Sequence, residues 1–393
     1  SNPKRMTVTV PASVGIVPEI VVEETDNPSG FEQLREPWDR LVEEAGGSIF
    51  QTWEWAFAAW MRFGKGSRLQ ILSAYRDGKL VGIAPLAAQA AGGRFVKLAS
   101  LRFLSVASDT VDFLVARDLD AAVGEAFSRH LSRSKDWDLL HLDLVPTDSR
   151  ATPAFLEAMA RLGHKTFSRQ GPTNLVIVLP GSLDEYFAGV GKKTRQEMRR
   201  EHRRIMEVGT VDVCPPGDEV GGYLDILLHL HALRFARKGT PSLLADPSLS
   251  AFYRDVVRML HSRGWVRLAL LRIGEEPIAA HLSFWHRDRV YWHQCGFDPS
   301  SPWARHSPVR ALLLDSLTRA IRAGMKEIAF GREGEAYKLD FAPQRRVTYH
   351  HLVVAGWPST RLRLVLHATT QRVGRFVRAI LGGGKLTPFA LWG

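Results

Sequence analysis

Twice along the chain the same order of elements recurs: an apolar hairpin, a further strand, a helix and a closing strand. The first hairpin is "LQILSAY-RDGK-LVGIAPLAA". Its turn is Asp77-Gly78, two residue types that accept the positive φ of a tight turn. "FVKLASLRFL" and "VDFLVA" follow as strands, then a helix from about Ala121 to Arg133, then "DLLHLDLV", closed by Pro146. In the second half "VRLALLR-IGEE-PIAAHLSFW" is again a hairpin and "RVYWHQCGF" a strand; "SPVRALLLDSLTRAIRAG" is a helix and "MKEIAF" the closing strand. A chain with such a repeat folds as two similar α/β units, and 393 residues suffice for two.

Before the first hairpin, "FEQLREPWDRLVEEAG" and "QTWEWAFAAWMRFG" have helical spacing, with apolar faces Phe31, Leu34, Trp38, Leu41 and Trp53, Phe57, Trp60, Met61. Between the halves, Ser182 and Glu185 form a capping box at the head of "SLDEYFAGVGKKTRQEMRREHRRIMEVG". From Lys192 to Arg204 seven basic residues face only Glu197 and Glu201, and Arg195, Arg199 and Arg203 share one helical face. That face can hold phosphates or simply meet water. The helix after Ser307 has a cap, Pro308 at its first position and Gly324 past its end. Its free N–H groups, with Arg305 and Arg310, suit an anion, although any well-capped helix carries these signals.

Several polar residues sit where chemistry or plain structure would each explain them. His231 and Arg234, in "LLHLHALRFARKG", fit a base and a substrate contact, or packed helix residues. In "LSVASDTVDFLVA", Asp109 reads as an Asx turn; Asp112, between Val111 and Phe113, is the better candidate to accept a proton. "GREGEAYKLDFAP" places Lys338 beside Tyr337 just after a strand, in a short turn crowded with acidic, basic and aromatic side chains, where the lysine can pair with Glu333 or Glu335.

The net charge of +11 lies mostly at one end. No acid follows Asp340, while eight cations do, which leaves the first 340 residues at +3 (44 minus 41). Overall pI is therefore no argument for nucleic-acid binding. The tail "RLRLVLHATTQRVGRFVRAIL" is basic and amphipathic, suited to an anionic membrane surface, a protein partner or packing on the body. Cys214 and Cys295 are the only cysteines, which excludes a disulfide framework and fits a reducing compartment. No apolar run spans a bilayer and the N-terminus lacks a signal-peptide core, so the expected location is cytoplasmic, with peripheral attachment to the inner membrane through the tail. No zinc-like spacing, GxSxG, P-loop, GxGxxG or HExxH is present, and no metal is expected.

Taken in order, "FQTWEWAFAAWMRFG", "LVGIAPL", "FLSVASDTVDFLV", "KKTRQEMRREHRRIMEVG", "HALRFARKGTPS", "GEEPIAAHLSFWHRDRVYWHQCGFD" and "AGMKEIAFGREGEAYKLDFAP" resemble the CelD-type acetyltransferases. These are a branch of the Gcn5-related N-acetyltransferase superfamily close to the FemABX peptidyltransferases. Two positions depart from that pattern: "ARHSPVR" has no glycine where the coenzyme A loop is usually glycine-rich, and Ala329 replaces an acidic residue before Phe330-Gly331.

The resemblance implies an α/β (α+β) fold of two tandem acetyltransferase-like domains, each a mixed twisted sheet flanked by helices. The expected division is an N-terminal extension (1–20), a first domain (21–178), a second domain with the donor site (179–354) and a basic tail (355–393). It further implies acyl transfer from acetyl-CoA or another acyl-CoA to an amine or hydroxyl of a sugar-linked acceptor in exopolysaccharide or envelope synthesis. Aminoacyl transfer from charged tRNA and a non-catalytic scaffold role are the alternatives. On this basis Lys338, Tyr337, Asp112 and His231 are catalytic candidates. Ser307, Arg305, Arg310 and Gly296 would contact the donor, and Arg195, Arg199, Arg234 and Trp53 the acceptor.

Overall fold

The structure is a computed structural model that describes residues 19–92, 96–217 and 219–367. The N-terminal half contributes β1 (Val21–Thr25), β2 (Arg68–Arg76), β3 (Lys79–Gly92), β4 (Lys97–Phe103), β5 (Leu114–Val115), β6 (Leu139–Pro146) and β7 (Lys165–Val178). The C-terminal half contributes β8 (Gly209–Val213), β9 (Val266–Ile273), β10 (Glu276–His286), β11 (Arg289–Phe297), β12 (Glu327–Arg332) and β13 (Gln344–Val354). All join one mixed sheet in the order β1-β2-β3-β4-β6-β13-β7-β12-β11-β10-β9-β8, with β5 beside β3.

Local chemistry explains the hairpins. Asp77 (φ 52°) and Gly78 (φ 74°) both take the left-handed conformation that matches the twist between β2 and β3. The two halves are joined by strands that the sequence patterns did not single out. β7 pairs with β13 along most of its length and with β12 at its end, and β13 inserts between β6 and β7. The helix Trp53–Phe63 also spans the junction: Trp55 meets Phe252 and Phe284 edge-on at 5.5 and 5.3 Å. That contact buries Trp55 completely, whereas Met61, read as core, is 58% exposed.

Two further expectations need correction. "FEQLREPWDRLVEEAG" forms two helices, Pro28–Gln33 and Arg35–Ala45. Pro37 has no N–H to continue the hydrogen-bond ladder, so the helix restarts at Leu34. "VDFLVA" is a strand only at Leu114–Val115. The carbonyls of Asp112 and Phe113 accept hydrogen bonds from Gln51 (3.3 and 3.2 Å), which draws that segment away from strand pairing.

Each half contains one parallel pair that stops early. β4 and β6 pair only from Ser100↔Leu139 to Arg102↔His141, and β11 and β12 only from Arg289↔Glu327 to Tyr291↔Ala329. Beyond those points the strands diverge and leave a gap. Of the basic tail, 358–367 is helical and tied to the first half, with Thr360 and Arg363 donating to Asp138. The rest of the tail, 368–393, and residues 1–18 of the N-terminal extension lie outside the described residues. No described helix is long and apolar enough to cross a membrane.

Candidate active site

The gap between β11 and β12 is lined with charge. A bulge between Ala329 and Gly331 (φ 68°) shifts the register of β12, which pairs with β7 as far as Arg332, and the chain then turns back through the short helix Ala336–Phe341. This return brings Lys338 under the strand it has just left. The Lys338 ammonium donates to Phe330 O (2.8 Å) and Arg332 O (3.2 Å), two carbonyls without a parallel partner, and lies 3.5 Å from the Glu335 carboxylate. Only 8% of Lys338 is exposed. Glu335 also accepts a short hydrogen bond from Arg234, which reaches over from the helix Val220–Arg237. Arg234 in turn donates to the carbonyl oxygen (3.2 Å) and the sulfur (3.0 Å) of Cys295 on β11. Burial raises the Glu335 carboxyl, but Arg234 and Lys338 more than offset it and leave its pKa lowered. Burial holds the Tyr337 phenol well above its usual range, so it stays protonated.

Beside the gap, a cleft of about 340 Å³ lies between the halves, lined in part by Asp109, Asp112, Asn174, Glu327 and Arg346. Asp109 meets the gap from the first half. A Cβ at Gly331 would stand 2.9 Å from Asp109 Oδ1, so this approach requires glycine. Asn174 holds the Asp109 carbonyl through its amide (2.8 Å), while its own Oδ1 is buried without a partner. As a whole residue Asp109 is half-buried, yet its carboxyl is enclosed. Burial raises that carboxyl to about 6, against the opposing pull of Lys338 and Arg332. Asp112 is also raised to about 6 by burial, but its Oδ1 is already taken by Thr152 Oγ1 (2.6 Å) and Phe113 N (2.9 Å). A base against Gly331 and a cation fixed on the flanking carbonyls of Phe330 and Arg332 suit acyl transfer.

His293, on β11, is pushed down to about 3 by burial and by Lys338, and shares a 2.9 Å hydrogen bond with the Tyr253 hydroxyl. The sequence pattern passed over His293 and Tyr253 and read Asp109 as a turn residue. The Asp-Thr-Val-Asp spacing was the one available signal, and it pointed to Asp112.

The other expected site residues are engaged elsewhere. His231 is buried, stacks on Phe235 at 4.5 Å and pairs with Ser242 (2.8 Å); burial, then Arg234, lowers its pKa to about 4. Gly296 lets β11 touch the helix behind it, since a Cβ there would lie 2.3 Å from His231 N. Ser307 precedes the helix Pro308–Arg322 in the left-handed conformation (φ 54°), and its side chain makes no capping bond. Arg310 stands between Glu201 (3.1 Å) and Asp340 (3.5 Å), and exposed Arg305 donates to His306 (3.2 Å). Arg195 donates to Phe187 O (3.1 Å), and Arg199 covers the Phe187 ring and reaches Asp184 (3.3 Å). Trp53 belongs to the first core, stacked on Phe57 at 4.4 Å and donating to Phe31 O (2.9 Å). No metal-holding group of three or more His, Cys, Asp or Glu residues occurs among the described residues.

Comparison with known proteins bears on the fold. Residues 192–339 match the family model of the acetyltransferase (GNAT) domain. Among solved structures, FemX is similar over 86% of this chain and 99% of its own, at 13% identity and a TM-score of 0.62. L-PGS from Bacillus licheniformis is similar over 87% and 96%, at 15% identity and a TM-score of 0.51. A conserved protein of unknown function from Bacteroides thetaiotaomicron is similar over 85% and 100%, at 11% identity and a TM-score of 0.50. No curated protein sequence matches the chain. At these identities the structural likeness is one of fold. The gap, its lysine and the helix before it thus fall within residues 192–339, the stretch that matches the model of the acetyltransferase (GNAT) domain.

Proposed function

We propose that the protein is an acyltransferase whose acceptor lodges in the cleft between the halves and whose donor carbonyl is presented at the gap between β11 and β12. The observation that carries this reading is the approach of Asp109 to Gly331 while Lys338 holds the carbonyls of Phe330 and Arg332 on either side of it in sequence. Asp109, raised to about 6, is a competent base near neutral pH. It would take the proton of an attacking amine or hydroxyl as the new bond to the acyl carbon forms. Lys338, fixed by two strand carbonyls, would offer the developing oxyanion its third N–H, which is turned toward Glu335 in the resting site. As the bond to the leaving group breaks, the Tyr337 phenol, which stays protonated, would return a proton to it. The geometry favours Asp109 over Asp112, whose Oδ1 is already engaged, and over His231, which is sealed beneath Phe235.

In the first reading the donor is an acyl-CoA. Its phosphates would meet the N–H groups ahead of the helix Pro308–Arg322, with exposed Arg305 beside them, while Arg310 stays paired to its acids. The acceptor would be a sugar-linked amine or hydroxyl of exopolysaccharide or envelope synthesis, as the sequence resemblance implies, and the work would be done in the cytoplasm. A second reading, aminoacyl transfer from tRNA, has its own support in the exposed Lys192, Lys193, Arg200, Arg203 and Arg204 on the helix Lys192–Met206, which packs beside Pro308–Arg322.

The test is single-turnover acyl transfer from acetyl-CoA to a panel of amino sugars, alongside binding of aminoacyl-tRNA at low salt. Transfer that disappears in Lys338→Ala supports the first reading. Salt-sensitive tRNA binding without thioester turnover supports the second. Neither activity from folded protein removes the acyltransferase assignment.

A further inference from the structure

Arg234 and Lys338 are both buried, and the carboxylate of Glu335 lies between them. Two cations enclosed in low dielectric need an anion nearby, because an uncompensated buried charge is strongly destabilising. Glu335 accepts a hydrogen bond from Arg234, yet three details show that it leaves this role partly open. Its contact to Lys338 is 3.5 Å, longer than the bonds of 2.8 and 3.2 Å that the same ammonium makes to Phe330 O and Arg332 O. Arg234 keeps its Nε buried without a partner, so the guanidinium has an unused donor. Gly334, immediately before Glu335, stands in open space, and 30% of the Glu335 side chain remains exposed.

We propose that Glu335 is a stand-in for an anionic group of the donor. Arg234 and Lys338 form an oxyanion-binding site that the chain fills with its own carboxylate, and an incoming carboxylate-like or phosphate-like group displaces it. This rests on the reading of Lys338 as the cation at the acyl-transfer site. Lys338 keeps two of its N–H donors on strand carbonyls throughout, and the third, turned toward Glu335, is the one that changes partner. Arg234 holds Cys295 O throughout and presents its remaining donors to either anion. Glu335 thereby guards the site when no donor is bound, and its departure leaves two positive charges facing the donor.

The inference is tested by anion rescue of thermal unfolding, which needs no turnover. Glu335→Ala and Glu335→Gln are compared with the wild type in sodium acetate, sodium phosphate and sodium chloride at equal ionic strength. The expected result is a melting temperature lowered by roughly 5 °C or more in Glu335→Ala, with most of the loss recovered by acetate or phosphate and little by chloride. Glu335→Gln, which keeps the side-chain shape, carries the same test should the alanine variant fail to fold. Adding Arg234→Met to either variant should abolish the recovery. Preference for acetate marks a carboxylate-sized site and preference for phosphate a phosphate site; both support the proposal. Equal response of variants and wild type to all three salts overturns it. Rescue in a protein that shows no acyl transfer would retain this anion site and discard the proposed function. Transfer without rescue would discard the stand-in alone.

Discussion

The two halves of the sheet contain the same device, a parallel strand pair that separates after three residue pairs, and they fill the resulting space in opposite ways. In the first half, Val111 N donates to Leu144 O (3.0 Å) at the end of β6, and Phe113 packs on Phe103 from the end of β4. Phe155 closes the same cluster, 5.0 Å from Phe113. In the second half the corresponding space holds Lys338, Glu335 and Arg234. Aromatic rings gain stability from burial, whereas buried ions are costly and persist where their charge has a use. One half has therefore turned its gap into core, and the other holds buried charge, where we place the chemistry. The halves cooperate at Gly331, where the first supplies Asp109 and the second Lys338.

The largest expected effect follows from this meeting. Asp109→Asn should lower acyl transfer by roughly 10²–10⁴-fold. In the wild type, transfer should rise with pH through about 6, as the Asp109 carboxyl loses its proton, and the variant should lack that limb. Stability should move the other way. A carboxyl whose folded pKa is raised favours the fold while it is neutral, and this contribution is lost as pH rises from about 4 through about 6. Asp109→Asn should then melt higher than the wild type above that range, as calorimetric scans across pH would show.

Phe155→Ala tests the other half. This fully buried ring should cost about 3–5 kcal/mol in chemical denaturation, while folded protein keeps its transfer rate. Lost transfer with little lost stability would break the division of labour between the gaps. Lys338→Ala should fold and lose roughly 10²–10³-fold in turnover, read by single-turnover kinetics. The smallest effect is expected at exposed Arg203. Arg203→Ala should leave stability within about 0.5 kcal/mol and thioester turnover unchanged. A marked fall in turnover there would move the donor toward the helix Lys192–Met206.

What could be read from the sequence was whatever local chemistry controls. The hairpin at Asp77-Gly78 was legible because the turn type demands those residues, and the Ser182 cap because its partner lies three residues away (Glu185 N to Ser182 Oγ, 3.1 Å). β7 and β13 were not, since their pairing depends on residues more than 150 positions apart, from Lys165↔Val354 to Val176↔Gln344. Lys338 was found through family resemblance, and the reason for its fixed position, the carbonyls of Phe330 and Arg332, appears only in the folded strand. Asp109 was overlooked for a related reason. Within its own segment it is a turn former, and only the fold, which sets it against Gly331 of β12, brings it within the influence of Lys338. Ser307 shows the opposite error: a residue well placed in sequence whose side chain makes no capping bond.

The most direct test of the division between the halves is a crystal structure with coenzyme A bound. Its sulfur should lie at the gap between β11 and β12, within reach of Lys338, with Glu335 turned aside. A sulfur lodged at the Phe113 cluster between β4 and β6, or no coenzyme A in the second gap at saturating concentration, would contradict the assignment of chemistry to the charged gap.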